Sequence, residues 1–402
     1  MIIRPRVRGF VCVTTHPTGC ARNVAAQIAH AETEPLAGPR VDPPRAVLVL
    51  GSATSYGLGS RIALAFGGRA ASFGVFLDRP PRPKRPGTAG WYNTAAFEAA
   101  AAERGLQSAC YNGDAFSNEA RDEVVAALRR DFPPVDCVVN SLAAPRRTHP
   151  DTGRTFTSVL KPIGAPYSSK TLNTDRAEVT GIELEPATPD EVDATVAVMG
   201  GDDWRRWMDA LRDGGMLAPR CRTIAYSYIG PELTWPIYRD GTIGQAKADL
   251  HRTARELDRE LAPAGGGAHI GIMKGVVTQA SAAIPVVSLY ISILFRIMKE
   301  KGDHEGPMEQ AMRLFGRKVY GAEGVVSDPH GFIRLDDLEM KPGTQEAVRR
   351  AWDAITTETL PDLADFDGYR TEFLRLFGFE VPGVDYGADV DPMVEIPTLV
   401  GG

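Results

Sequence analysis

The chain has 402 residues, 43% of them hydrophobic, enough to bury a substantial core in one enlarged domain or in several smaller ones. Its 51 acidic and 45 basic side chains give a formal charge of -6 and are interspersed, so nucleic acid is a poor expectation for a partner. The five cysteines, at 12, 20, 110, 137 and 221, show no repeated CxxC spacing and fit reduced thiols in a cytoplasmic enzyme better than a disulfide framework.

The amino terminus, MIIRPRVRGFVCVTTHPTGC, has no sustained apolar run ahead of a small-residue cleavage site, which argues against secretion. Residues 1–45 read as an extension containing one helix, from about Gly19 to Ala31, and then a proline-rich approach to the first core strand. AVLVLG is an apolar strand ending in glycine, and SRIALAFGG starts a helix after a small-residue turn. ASFGVFLD, SACYNGD and VDCVVNSLA are further strands, separated by a helix over 94–104 and by EARDEVVAALRRDF. This alternation predicts βαβ units and a mostly parallel sheet covered on both faces, an α/β, Rossmann-like fold. Beyond Ala143, TFTSVLKPIG and TGIELEPAT suggest short surface strands or a hairpin, followed by a helix over 190–211. CRTIAYSYIG returns to the core, 245–261 is the next helix, and AHIGIMKGVVT supplies another strand and its loop. The apolar stretch 282–298 contains Pro285, Ser288, Ser292 and Arg296; it is too short and interrupted for a membrane span and reads as a buried or groove-lining helix. The remainder, with GYRTEFLRLFGF, reads as a helical cap over about 299–402.

Chemistry first shows in GSATSYGLG, residues 51–59, between a strand and a helix. Glycines let backbone amides approach a diphosphate, and the helix N-terminus favours negative charge. The spacing is not GxGxxG, and a purely structural turn would also use these residues. Asp78 ends the next strand, where a carboxylate can accept from an adenosine ribose and repel the extra phosphate of NADP; a solvent-facing turn residue is the alternative. Asp114 and the run Ser141, Leu142, Ala143 repeat that placement after the third and fourth strands, which together describe a ligand crevice. Tyr238 is followed nine positions later by Lys247. A tyrosine can donate to an oxygen becoming negative while a nearby lysinium supports it and holds a cofactor ribose, although two such residues also occur on ordinary helix surfaces. Tyr228 is a candidate second donor or a packed tyrosine. No HExxH or other compact ligand set joins the seven histidines, so no metal is expected, and GxSxG is absent.

At GSATSYGLGSRIALAFG, GPELTWPIYRDGTIGQAKADL and MKGVVTQASAAIPVVSLYISILFRIMKEKGDHEG the chain resembles the short-chain dehydrogenase/reductase superfamily, and more closely its long enoyl-reductase branch called FabV, the trans-2-enoyl-CoA/acyl-carrier-protein reductases. The resemblance spans the whole chain. It implies a single enlarged Rossmann-like domain, monomeric, that uses NADH in fatty-acid biosynthesis to saturate an enoyl thioester carried by acyl-carrier protein or CoA, without membrane insertion. It also implies Tyr238 as catalytic donor, Lys247 as its assisting residue and Tyr228 at the acyl substrate. NADH is assigned to Gly51, Ser52, Ala53, Thr54, Ser55, Tyr56, Leu77, Asp78, Asp114, Ala115, Leu142, Ala143, Lys247, Val276, Val277 and Thr278. Ala248 stands where some members carry a second lysine. A carbonyl reductase of the same superfamily and a non-catalytic dinucleotide-binding protein are the competing readings.

Overall fold

The computed structural model describes residues 1–33, 36 and 43–401, so most of the expected proline-rich approach lies outside the described residues. Eight strands form one sheet: β1 Ala46–Leu50, β2 Ala71–Phe76, β3 Ser108–Asn112, β4 Val135–Asn140, β5 Leu217–Ser227, β6 Gly267–Ile272, β7 Phe332–Arg334 and β8 Leu399–Val400. They lie in the order β7-β6-β5-β4-β1-β2-β3-β8, each pair parallel. All five residues of β1 are buried because both faces of the sheet are covered. Val47 and Val49 meet Ile62, Phe97 and Phe315 on one face, while Leu48 and Leu50 meet Val124, Leu128 and Trp204 on the other.

The longer helices are α1 Pro17–Thr33, α2 Ser55–Ile62, α3 Ala89–Glu103, α4 Asn118–Asp131, α5 Pro189–Met199, α6 Asp202–Asp213, α7 Thr242–Leu261, α8 Val287–Lys301, α9 Pro342–Ala354 and α10 Phe366–Arg375. Most of the stretch read as a buried or groove-lining helix becomes α8, buried on nearly every side in a third core with Trp91, Leu172, Trp352, Tyr369 and Phe373. Among the described residues no helix is long and apolar enough to cross a membrane.

Several expectations change. The single helix over 190–211 is two: Gly200 closes α5, and the Gly201 amide donates to Asp249 on α7 at 2.9 Å. A Cβ on Gly201 would lie 2.0 Å from Thr253 Oγ1, so the break sits where α7 crosses. The surface strands form two hairpins, not one: Arg146–Thr148 pairs with Thr155–Thr157, and Tyr167–Asn173 pairs with Glu178–Leu184. Helix α2 begins at Ser55, inside the glycine-rich run and ahead of the SRIALAFGG segment. The segment after 299 is more than a helical cap, since it supplies β7 and β8, the outermost strands.

Candidate active site

In a parallel sheet all strand ends of one kind share an edge. β1 leads to β2 and β3 on one side, whereas β4 returns to the other side of β1, so the crevice opens between the loops after β1 and β4. Those loops touch. Gly51 has φ +78, and a Cβ there would lie 2.5 Å from the Ser141 carbonyl oxygen; a Cβ on Gly57 would lie 1.9 Å from the carbonyl oxygen of Gly51. Only glycine fits both positions. The amides of Gly51 and Ser52 are both spent on the Val75 carbonyl, at 2.9 and 3.0 Å, so Ser52 anchors the turn. Ala53 is buried and its carbonyl accepts from Asn93 on α3 at 3.0 Å. Thr54 caps α2 without a side-chain hydrogen bond, and no acidic residue stands in the first turn. The first-turn amides of α2 are therefore open to an anion. Ser55, at φ +48, keeps a buried hydroxyl without a partner among the described residues.

After β2, Leu77 is 69% exposed, and Asp78 lies against the start of α3, where a Cβ on Gly90 would come within 2.0 Å of its Oδ2. Burial pushes its carboxyl up to about 6, against the opposing pull of Thr88, the Gly90 amide and Arg79. Asp114 accepts from the Phe116 amide at 3.0 Å and so shapes its own turn. The carbonyl of buried Ala115 accepts from Trp207 at 2.9 Å. Leu142 and Lys247 line one small cavity with Asn140 and Tyr226, and Ala143 is exposed.

The other half of the edge lies over β5, β6 and β7. Tyr228 follows β5, and its ring meets Tyr238 edge to face at 5.0 Å. Burial pushes the Tyr238 hydroxyl up to about 12, so it holds its proton at neutral pH, and among the described residues it has no hydrogen-bond partner. Lys247 lies in the second turn of α7; its Nζ donates to the Tyr226 carbonyl at 3.0 Å, and burial lowers it to about 8. No direct contact joins Lys247 to Tyr238 among the described residues. Tyr56 reaches across from α2 to donate to the Lys274 carbonyl at 2.5 Å, which ties the glycine turn to the loop after β6. In that loop Val276 and Val277 are buried, and Thr278 exchanges two hydrogen bonds with Ser281, at 2.8 and 2.9 Å.

Sequence reasoning missed Lys274, Tyr290 and Glu339. Lys274 is buried, its amine lowered to about 8 by burial. The wholly buried Glu339 carboxylate receives the Tyr228 hydroxyl at 2.8 Å, the Tyr290 hydroxyl at 2.6 Å and the Gly275 amide at 2.7 Å. Tyr228 thus spends its one proton inside the protein, which is nearer the packed-tyrosine alternative than the second donor. Among the described residues no group of three or more His, Cys, Asp or Glu is placed to hold a metal ion.

A helix end open to an anion at the switch point, on the same sheet edge as a half-buried tyrosine with its proton free, fits a nicotinamide-dependent oxidoreductase of Rossmann-like fold. Three family models tile the chain: the NAD(P)H binding domain of trans-2-enoyl-CoA reductase at residues 2–83, the trans-2-enoyl-CoA reductase catalytic region at 85–320 and the enoyl reductase FAD binding domain at 327–390. An NADH-dependent enoyl-acyl-carrier-protein reductase of Opitutus terrae is 54% identical over 98% of this chain and 99% of its own. Its counterpart in Vibrio cholerae is 50% identical over 99% of each chain. The crystal structure of Treponema denticola trans-2-enoyl-CoA reductase in complex with NAD is 43% identical, with a TM-score of 0.95 over 98% of this chain and 100% of that one. The chain belongs to this family of enoyl thioester reductases.

The flavin in one of those descriptions does not fit the residues present. Pro342 opens α9 and removes a first-turn amide, and at α10 the Asp365 carboxylate accepts from Gly368 at 2.9 Å and puts a negative charge at that helix start, so neither of these helix starts suits a flavin diphosphate. Tyr369, Phe373, Phe377 and Phe379 are buried in the core.

Proposed function

We propose that the protein reduces the carbon–carbon double bond of trans-2-enoyl thioesters carried by acyl-carrier protein or CoA, with NADH, in fatty-acid biosynthesis. The observation that carries this reading is Tyr238, half-buried, protonated and without a hydrogen-bond partner among the described residues, beside Tyr228 at the sheet edge that carries the open helix end. NADH, when bound, supplies the hydride for the β carbon. The chain's own residues then manage charge and protons. The Tyr238 hydroxyl donates to the thioester carbonyl oxygen, where the enolate develops, the α carbon then takes up a proton to give the saturated thioester, and the burial that holds the tyrosine's proton also strengthens that hydrogen bond. Lys247, a cation below about pH 8, adds positive potential on the Tyr226 side and faces the cofactor ribose. First-turn amides of α2 hold the diphosphate, Asp78 the adenosine ribose, and Leu77, Asp114, Ala115, Leu142, Ala143 and 276–278 form the remaining cofactor walls. The apolar face of α8 lines the acyl site.

The test supplies a trans-2-enoyl-CoA with NADH or NADPH and follows cofactor oxidation together with product mass. A saturated thioester formed faster with NADH is expected. A product with a reduced carbonyl, or bound cofactor without turnover, overturns the proposal.

The protein is further proposed to act in the cytoplasm as a monomer whose residues 1–402 form one cooperative unit, because β7 and β8 close both edges of the cofactor sheet. Pulse proteolysis of residues 45–280 produced alone should find no folded core; a stable fragment with full NADH affinity would refute the single unit.

A further inference from the structure

Glu339 lies in the loop after β7 and is 0% exposed. Its Oε1 accepts two phenolic protons, from Tyr228 at the end of β5 and from Tyr290 on α8. Its Oε2 accepts the Gly275 amide, next to the proposed cofactor loop. One carboxylate thus joins three strand ends and the helix proposed to line the acyl site. The arrangement is held from behind: Gln345 donates to the Glu339 carbonyl at 2.8 Å and to the Tyr290 hydroxyl at 3.2 Å. Burial pushes the carboxyl up, while Lys274, the two phenols and the Gly275 amide pull against that rise.

A phenol has one proton. With that proton held by Glu339, Tyr228 has only lone pairs left to offer, while Tyr238, whose ring it meets at right angles, keeps its proton for the substrate. We propose that Glu339 is a positioning residue for the reduction, fixing the direction of the Tyr228 hydroxyl. The assignment rests on the function proposed above. It divides the tyrosine pair into one donor and one oriented acceptor.

The test is a double-mutant cycle on the full-length protein: wild type, Glu339→Gln, Tyr228→Phe and the double variant, compared by single-turnover rate at saturating NADH and enoyl-CoA, with thermal unfolding in parallel. An amide can offer its oxygen to the tyrosines or to Gly275, never to both. Glu339→Gln is expected to slow the folded wild-type background by about tenfold or more, the scale of one charge-assisted hydrogen bond. In the Tyr228→Phe background the further loss should stay under about threefold, because the hydroxyl it acts through is gone. Equal losses in both backgrounds, or a near-wild-type rate for Glu339→Gln, overturn the assignment. If Glu339→Gln does not fold, Tyr290→Phe runs the same cycle, with a smaller loss expected that again vanishes beside Tyr228→Phe; equal losses overturn the assignment there too. An inactive wild-type protein would sink the proposed function itself, whereas an active one with no coupling sinks only the role of Glu339.

Discussion

Over β1, β2 and β4 the carboxyl edge of the sheet is lined by backbone and short side chains, whereas over β5, β6 and β7 long polar side chains are buried there. The nucleotide side is set by local geometry, with Gly51, Gly57 and the start of α2 lying within one short run of sequence. The acyl side is assembled from afar. Glu339 is 111 residues from Tyr228, 64 from Gly275 and 49 from Tyr290 along the chain. A ligand made of phosphates can be held by a turn and a helix end, which any strand-to-helix connection can carry. A reaction that builds charge on one oxygen needs a few polar groups held in a dry place, and holding them there takes several elements.

The largest effect should come from beneath the nucleotide side. Arg61 on α2 and Glu98 on α3 form a buried ion pair at 2.6 Å, each side chain 1% exposed, and Arg61 also donates to the Ala109 carbonyl at 2.7 Å. Breaking such a pair from one side costs about 3–5 kcal/mol. For Glu98→Ala the lower part of that range is expected, because Arg61 keeps its carbonyl acceptor. Denaturant unfolding monitored by tryptophan fluorescence measures it, and a loss below about 1 kcal/mol, the level of an exposed pair, would show that this foundation matters little.

Tyr238→Phe probes the acyl side and leaves the nucleotide side alone. Losing one oxyanion donor costs about 2.7–4 kcal/mol, roughly a hundredfold to a thousandfold in rate. The single-turnover rate should fall on that scale while NADH affinity and unfolding midpoint hold. A folded variant at near-wild-type rate would move the donor role to another group.

Asp78 should show the smallest effect, and it is the one that depends on pH. Its folded carboxyl lies near 6, above the usual carboxylate value. The folded state therefore binds its proton more tightly than the unfolded state, so this group's contribution favours folding at low pH and is lost as pH rises through about 6. Discrimination runs the other way, since repelling the extra phosphate of NADPH needs the charged form. The NADH preference should be full above pH 7 and narrow by up to about tenfold, one pKa unit's worth of interaction, toward pH 5. Asp78→Ser should show the narrowed preference at every pH and serves as the control for the phosphate's own titration. Measuring kcat/KM for both cofactors across that range decides it; an unchanged preference in Asp78→Ser would place discrimination elsewhere in the pocket.

What the sequence by itself determined is what short-range physics controls. AVLVL is apolar without alternation because both its faces are covered, and the strand-helix repeats through Asn140 called for a parallel sheet whose strand ends share one edge. Glycines at 51 and 57 announced a tight turn before a helix, which the positive φ and the close approach of backbone to backbone require. Tertiary structure alone decided the rest. The break at Gly200 and Gly201 answers to Asp249 and Thr253 on a crossing helix, which no local periodicity reveals. The last hundred residues read as a cap, yet they pair into both edges of the sheet, because such short strands carry almost no pattern of their own. Within RLDDLEMKP nothing local sets Glu339 apart from its acidic neighbours. Burying a carboxylate is tolerable only where donors converge on it, and these donors come from three distant segments that meet only in the folded chain.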